Sequence, residues 1–444
     1  MKLKITVILL SLLILQPLHP EETAVIKKIE QRGLKKTRES TVNHYMIYRV
    51  GEPYDPMIWE MQKNALMDLD IFADVNLEAR STPEGTELIY NYRELPSYII
   101  FPAMKRTDQD GLLIGPGINI PNLFGEGIHQ ELLNRYTAVP EPFRAKEILT
   151  CTHIPESEIF HFTTEITINY FQSYNSLKLY NEKSLYSEGE IIYRLGKEFK
   201  IKGSAASLSV KHDNNAPVFI SGDKSVKMFR GDGKWDFVPS LGAGIIYDAR
   251  ERAMNPHYGF YNEFRASISG EKLGGDGNYR EYLYDFRGYI PAGRSHIIHA
   301  NLLAQYRPGV ISGYDLYHIG GINTMRAYEP ESSICGQHEV LWTVEYRYEL
   351  FTNRQVTLLG MNAYYGLQFV LGIDNAHYWF PGETFSRGKY INSFFAGIHF
   401  IVPVLERVRL EFGLHGPYND ENEIRFGINF GWYEKAYTQR RRVR

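Results

Sequence analysis

The chain of 444 residues has no apolar run long enough to cross a bilayer as a helix. Its longest, Ile5 to Leu15, stops at Gln16-Pro17 and falls short of the roughly 18 residues a helical span needs. Helical membrane spans are therefore not expected. Cysteine is almost absent: Cys151 and Cys335 permit one disulfide or two free thiols, and no disulfide framework. The charge is nearly balanced at −3, which gives no reason to expect nucleic acid as a partner. Catalytic signatures are missing as well. There is no Gly-x-Ser-x-Gly and no His-Glu-x-x-His, and the histidines are scattered, so an enzyme is not expected and no cofactor or metal is implied.

Aromatics and glycine are abundant instead. Phe, Trp and Tyr make up 14% of the chain, with 32 tyrosines and 38 glycines. Lys2 and Lys4 ahead of the Ile5–Leu15 run predict an export signal over residues 1–20. No cysteine follows that run to carry a lipid anchor.

Residues 23–96 predict a small mixed unit. A strand at Val25–Glu30 ends near Gly33, and helices are expected over Thr37–Tyr48 and Met57–Leu69. The second helix is expected to bury Ile58, Met61, Ala65 and Leu69. Phe72–Ala79 and Glu87–Arg93 then alternate about Pro83-Glu84-Gly85, a hairpin pattern.

From Tyr98 to Trp432 the period is two. Val408, Leu410, Phe412 and Leu414 alternate with Arg409, Glu411, Gly413 and His415. Trp342, Val344, Tyr346 and Tyr348 alternate with Thr343, Glu345, Arg347 and Glu349. One face is apolar and aromatic, the other charged or small, as in a barrel with lipid outside and water inside. Sixteen strands fit residues 98–432, among them 338–350 and 357–372. The number is even, and the long gaps 212–238, 307–337 and 373–390 all fall on one side by strand parity. The fold class is thus an all-β transmembrane barrel of sixteen antiparallel strands after one small α+β domain, with a basic tail at 433–444.

Gly320, Gly321, Arg326, Ala327 and Tyr328 lie in the gap 307–337, between strands eleven and twelve. An arginine folded inward there faces inward Glu345 on the next strand; Arg347 and the deeper Glu349 also point in. Asp248 and Arg250, two apart, predict a charge pair that shapes a turn. Pro102 in the first strand cannot donate a ladder hydrogen bond, and Gly427 and Gly431 in the last pack weakly; either the seam between them closes poorly, or the proline is an accident of an irregular strand start.

These features together resemble the outer-membrane protein assembly factor superfamily, the BamA-like and TamA-like surface-antigen barrels with POTRA domains. Residues 23–96 are similar to one POTRA domain, and Asn122-Leu123-Phe124-Gly125 to the family's first periplasmic turn. Tyr247-Asp248-Ala249-Arg250 followed by Pro256 and Gly259 resembles a mid-barrel motif. Met325-Arg326-Ala327-Tyr328 resembles the Val-Arg-Gly-Phe/Tyr motif of the sixth outer loop, with Ala327 where the family has glycine. An alanine tolerates positive φ less well. The resemblance implies a tether between Arg326 and Glu345, with Asp374 filling the place of a family aspartate. It implies an outer-membrane barrel with a periplasmic POTRA that assembles or translocates unfolded outer-membrane or secreted clients. Membrane lipid would surround it, and periplasmic accessory proteins are a further class of partner. The rival reading is a passive pore or a surface structural protein.

Overall fold

The computed structural model describes residues 25–430 apart from 68, 108–110, 140–144, 158–160, 176–179, 213–218, 222–223, 227–228, 231–232, 252–254, 322, 329–333, 359–360, 403–405 and 416–423. The expected export signal, Gly431 and the basic tail lie outside the described residues. The chain divides into two compact units, Met1–Leu95 and Pro96–Arg444.

The first unit holds β1 (Ile26–Arg32), α1 (Glu39–His44), α2 (Trp59–Met67), β2 (Phe72–Thr82) and β3 (Gly85–Glu94). Its sheet runs β1-β3-β2, with β1 parallel and β2 antiparallel to the central strand. Ile26, Val42, Leu66, Val75, Leu88 and Tyr90 form the core. Each fully buried aliphatic side chain there contributes about 1.5–3 kcal/mol.

Two sequence expectations fail in this unit. The first helix is six residues long and does not run from Thr37 to Tyr48. Buried Gln62 supplies what a longer helix would have given. Its Oε1 accepts from Ile47 N at 2.5 Å and its Nε2 donates to Tyr45 O at 3.2 Å. On the second helix the expected face holds only in part: Leu69 is buried and Ile58 packs on the core, but Met61 is 44% exposed while Gln62 and Leu66 are fully buried. Satisfying the backbone of residues 45–48 fixes Gln62 inward, and Leu66, four residues on, follows it.

Glu94 closes the unit. Its Oε1 accepts from the amides of Lys35, Lys36 and Thr37 and from Thr37 Oγ1, at 3.1, 3.1, 2.8 and 2.6 Å. Burial opposes ionisation of this carboxyl, but those hydrogen bonds outweigh it and hold it below its ordinary value of 4.5. A depressed folded value means the stabilisation is complete above the unfolded value. It is lost as pH falls through the folded one. Glu94→Ala should therefore lower the melting temperature of this unit at neutral pH, and the gap to wild type should close in acid. A gap that persists in strong acid, followed by thermal unfolding of the full chain, would rule out this charge as the source.

The second unit is a sheet of antiparallel strands. Its strands are β4 (Ile99–Thr107), β5 (Gly111–Leu123), β6 (Ile128–Val139), β7 (Lys146–Ile154), β8 (Phe162–Asn175), β9 (Tyr180–Arg194), β10 (Phe199–His212) and β11 (Trp235–Asp248). They continue as β12 (Gly259–Gly270), β13 (Asn278–Gly293), β14 (His296–Tyr306), β15 (His338–Leu358), β16 (Met361–Trp379), β17 (Lys389–Val402), β18 (Glu406–His415) and β19 (Ile424–Phe430). Each pairs with its chain neighbour, and the sheet order brings β19 next to β4. Short two- and three-residue strands decorate the longer connections.

β15 and β16 are longer than the sequence suggested, 21 and 19 residues against the expected 338–350 and 357–372. The alternation breaks between Glu349 and Arg354, where the register shifts, so the pattern hid the continuation. As a result Asp374 lies within a strand, opposite Thr343, and the gap expected at 373–390 shrinks to 380–388.

Side chains alternate as the period requires. Val344, Leu350, Phe412 and Leu414 are 41–53% exposed on the outside. Glu345, Arg347, Glu349, Arg409 and Glu411 are at most 6% exposed on the inside. The inner face was expected to be wet. Around these strands its charges meet one another instead, and Arg326 and Asn323 of the connection between β14 and β15 reach in among them. Cys151 and Cys335 form no disulfide.

Candidate functional site

The connection carrying Arg326 is held at both its root and its tip. At the root, Arg307 Nη2 donates to Glu281 Oε1 at 2.7 Å and Nη1 lies 3.1 Å from Asp315 Oδ1, with the guanidinium 4.2 Å over the Tyr317 ring. At the tip, Gly320 and Gly321 both take positive φ, 137° and 87°, which few other residues adopt. The chain then turns back so that Gly321 N donates to Tyr328 O at 2.6 Å. That small closed turn aims Arg326 inward.

Arg326 is 7% exposed and meets four strands. Nη2 donates to Glu345 Oε2 on β15 at 3.2 Å, and Nη1 to Asp374 Oδ1 on β16 at 2.8 Å. Nε donates to Glu411 Oε2 on β18 at 3.1 Å, and the guanidinium lies 3.5 Å from the ring centre of Phe395 on β17. Its backbone N–H reaches Asp374 Oδ2 at 3.3 Å. A planar fork that spends each nitrogen on a different carboxylate and one face on an aromatic ring is a task for arginine and not for lysine.

The surrounding charges balance. Glu345, Asp374 and Glu411 face Arg326, Arg347 and Arg409, with Arg347 Nε 2.5 Å from Glu345 Oε1 and Arg409 Nη1 3.7 Å from Glu411 Oε2. Arg409 Nη2 also donates to Asn323 Oδ1 of the same connection at 2.6 Å. The alternatives left open by the sequence resolve into a network. Glu345 takes Arg326 and Arg347 together, and Asp374 takes Arg326 as well. Glu349 points elsewhere, to His257, Gln368 and Asn255.

Ala327 does not take positive φ, so the alanine carries no backbone penalty. It is buried beneath Gly413, and its carbonyl accepts from His415 Nε2 at 2.7 Å. Tyr328 stacks on that imidazole with ring centres 4.3 Å apart. Glu411, Gly413 and His415 were legible as inward residues of one strand, yet period two says only which face they occupy. It does not say which distant loop they meet. Phe395 was missed for the same reason. Gly372 makes room for it: a Cβ there would come within 2.5 Å of the ring.

Glu345, His399 and Glu411 offer ligand atoms within 4.8 Å of one another, a spacing that suits a metal ion. Two of them already share the Arg326 guanidinium, and His399 Nε2 lies 2.8 Å from Glu411 Oε1. The cation at this position is therefore supplied by the chain.

The other expected residues lie apart from this cluster. Arg250 forms a two-pronged pair with Asp248, at 2.8 and 3.0 Å, after β11. Pro256 is buried in the same turn, and Gly259 opens β12 with φ 98°. Pro102 sits opposite Pro116 in the β4–β5 ladder, and Gly427 opposite Glu411 in β18–β19.

A family model described as the Omp85 superfamily domain matches residues 156–432. Among solved structures, BamA from Haemophilus ducreyi lacking POTRA domains 1–3 aligns with a TM-score of 0.60 at 15% identity, covering 92% of this chain and 85% of that one. CdiB from Acinetobacter baumannii aligns at 0.59 and 11% identity, covering 92% and 73%. CdiB from Escherichia coli aligns at 0.62 and 11%, covering 92% and 76%. At these identities the structural likeness speaks for the fold. No curated protein matches the sequence.

Proposed function

Because the chain belongs to the Omp85 superfamily, we propose that it inserts other proteins into the bacterial outer membrane, or passes them across it, at the junction of β4 and β19. The observation that carries this reading is Pro102 opposite Pro116. A hydrogen-bonded antiparallel pair exchanges two N–H···O bonds, and neither proline has an N–H to give. The pair must be a non-bonded one, which turns the Pro102 nitrogen away from β5 and toward β19. The first strand thus lacks a donor on the side where the barrel closes. Gly427 in β19 adds no side-chain packing there. A junction with a missing donor opens at lower cost and leaves a strand edge for a client to pair with.

The first unit fits the role of a POTRA domain in the periplasm. Its sheet order leaves β2 at an edge, where an unfolded client can add a strand. The outward aromatic and aliphatic rows of the barrel contact lipid, and Arg326 keeps the sixth outer loop inside. Asp248 and Arg250 brace a turn at the periplasmic mouth. No nucleotide or metal enters this scheme, because a client folding into lipid moves downhill.

The rival is a passive pore. Arg287 and Arg347 are fully buried, as are the acids they pair with, Asp285 and Glu345, among inward residues of the described strands. Paired, water-excluded charge on the inner wall supports a barrel that rests shut. The test is to lock the junction: a disulfide from β4 to β19 should stop client assembly, and reductant should restore it.

A further inference from the structure

The turn between β11 and β12 leaves the barrel at the mouth opposite the Arg326 loop. It follows the eighth barrel strand and that loop follows the eleventh, and even and odd connections fall at opposite ends of an antiparallel barrel. Two of its described residues, Asn255 and His257, do not stay at the rim. Asn255, 6% exposed, reaches across the lumen to strands twelve, thirteen and fifteen of the barrel. Its Oδ1 accepts from Gln368 Nε2 on β16 at 3.0 Å and from Arg407 Nη2 on β18 at 2.7 Å. Its Nδ2 donates to Glu349 Oε1 on β15 at 3.3 Å. His257 joins it, with Nε2 3.0 Å from Glu349 Oε2 and Nδ1 3.2 Å from Glu251 Oε2.

Asn255 holds φ at 48°, a left-handed conformation that asparagine tolerates better than most residues. Its amide is committed to three partners on three strands, which a rim residue facing water would not need. The same strands hold Arg326. β15 supplies Glu345 to one site and Glu349 to the other, β16 supplies Asp374 and Gln368, and β18 supplies Glu411 and Arg407. Four residues along β15 separate the sites by about 13 Å, and Arg347 stands between them on Glu345.

We propose that Asn255 and His257 form a second anchor, which ties the start of β12 to the far wall of the barrel at the end opposite the Arg326 loop, and that the two anchors are coupled through the three strands they share. Arg326 would then set the position of Glu349, Gln368 and Arg407, and Asn255 that of Glu345, Asp374 and Glu411. This goes beyond the assembly reading and does not depend on it, since the anchors act on the lumen whether or not a client is handled.

The experiment is ion conductance of the full chain in a planar lipid bilayer, with no client present. Asn255→Gly keeps the left-handed backbone and removes all three side-chain bonds, and His257→Ala removes one part of the anchor. Both should raise mean conductance, Asn255→Gly by several-fold and His257→Ala by less. Combining Asn255→Gly with Arg326→Ala should give a change that differs from the product of the two alone. Wild-type conductance in both single variants, in barrels that keep heat-resistant gel mobility, overturns the anchor. A strictly multiplicative double variant overturns the coupling. If Asn255→Gly does not fold, Glu349→Gln takes its place. It weakens the acceptor shared by Asn255 and His257, and wild-type conductance in it and in His257→Ala again overturns the anchor.

Discussion

Replacing Arg326 with alanine should destabilise the docked loop by about 3–5 kcal/mol, the usual consequence of removing one partner from a buried ion network. The reason is the balance of charge. Three carboxylates and three guanidinium groups share the site, and removal leaves the three acids facing two guanidinium groups, those of Arg347 and Arg409. None of the three acids is more than 2% exposed, so water does not replace the lost donors. The loop should leave the lumen, and client assembly should fall with it. Arg326→Lys should recover little, because one ammonium cannot reach three acids placed around a planar fork. Thermal unfolding of the purified barrel and a client assembly assay read both effects. Full recovery by lysine would mean that charge alone matters and the fork does not.

The second large effect should come from a residue with no charge. A Cβ on Gly413 would stand 2.5 Å from Ala327 N and from the Arg326 carbonyl carbon, and 2.6 Å from its oxygen. These are backbone atoms, which cannot swing aside. Gly413→Val should therefore push the loop off the wall, at a cost of roughly 1–3 kcal/mol. Because Gly413→Val and Arg326→Ala break the same docking, the double variant should cost little more than Arg326→Ala alone. Additive losses, measured by the same unfolding experiment, would place Gly413 outside the docking surface.

The sheet was legible in the sequence because period two is imposed by the strand itself and survives any tertiary context. The ends of β15 and β16 were not, since the bulges after Glu349 interrupt the alternation that marks a strand. For the site, one half was legible. Arg326 between a glycine pair and an aromatic, ahead of an inward Glu345, is a local pattern. Glu411 and Phe395 lie 85 and 69 positions further along, and only closure of the sheet brings them to the guanidinium. Ala327 illustrates the opposite error. Expecting positive φ there came from the resemblance, while the structure puts the positive φ at Gly320 and Gly321. Asn255 was invisible because a turn has no periodicity and its partners stand across the barrel. In the smaller unit, Met61 of the expected apolar stripe gave way to a glutamine. Gln62 is buried because four residues of non-helical backbone need its amide.

The assembly reading rests on the junction of β4 and β19, and one measurement bears on it most directly. The full chain carries a cysteine in Ile99–Thr107 and another in Ile424–Phe430, chosen so that they oxidise to a disulfide, with Cys151 and Cys335 replaced by serine. Insertion of a barrel client into proteoliposomes is followed in the oxidised and the reduced protein. The account predicts that the oxidised form is inactive and that reductant restores insertion to the level of the cysteine-free chain. Equal insertion by the locked and the reduced forms would contradict it.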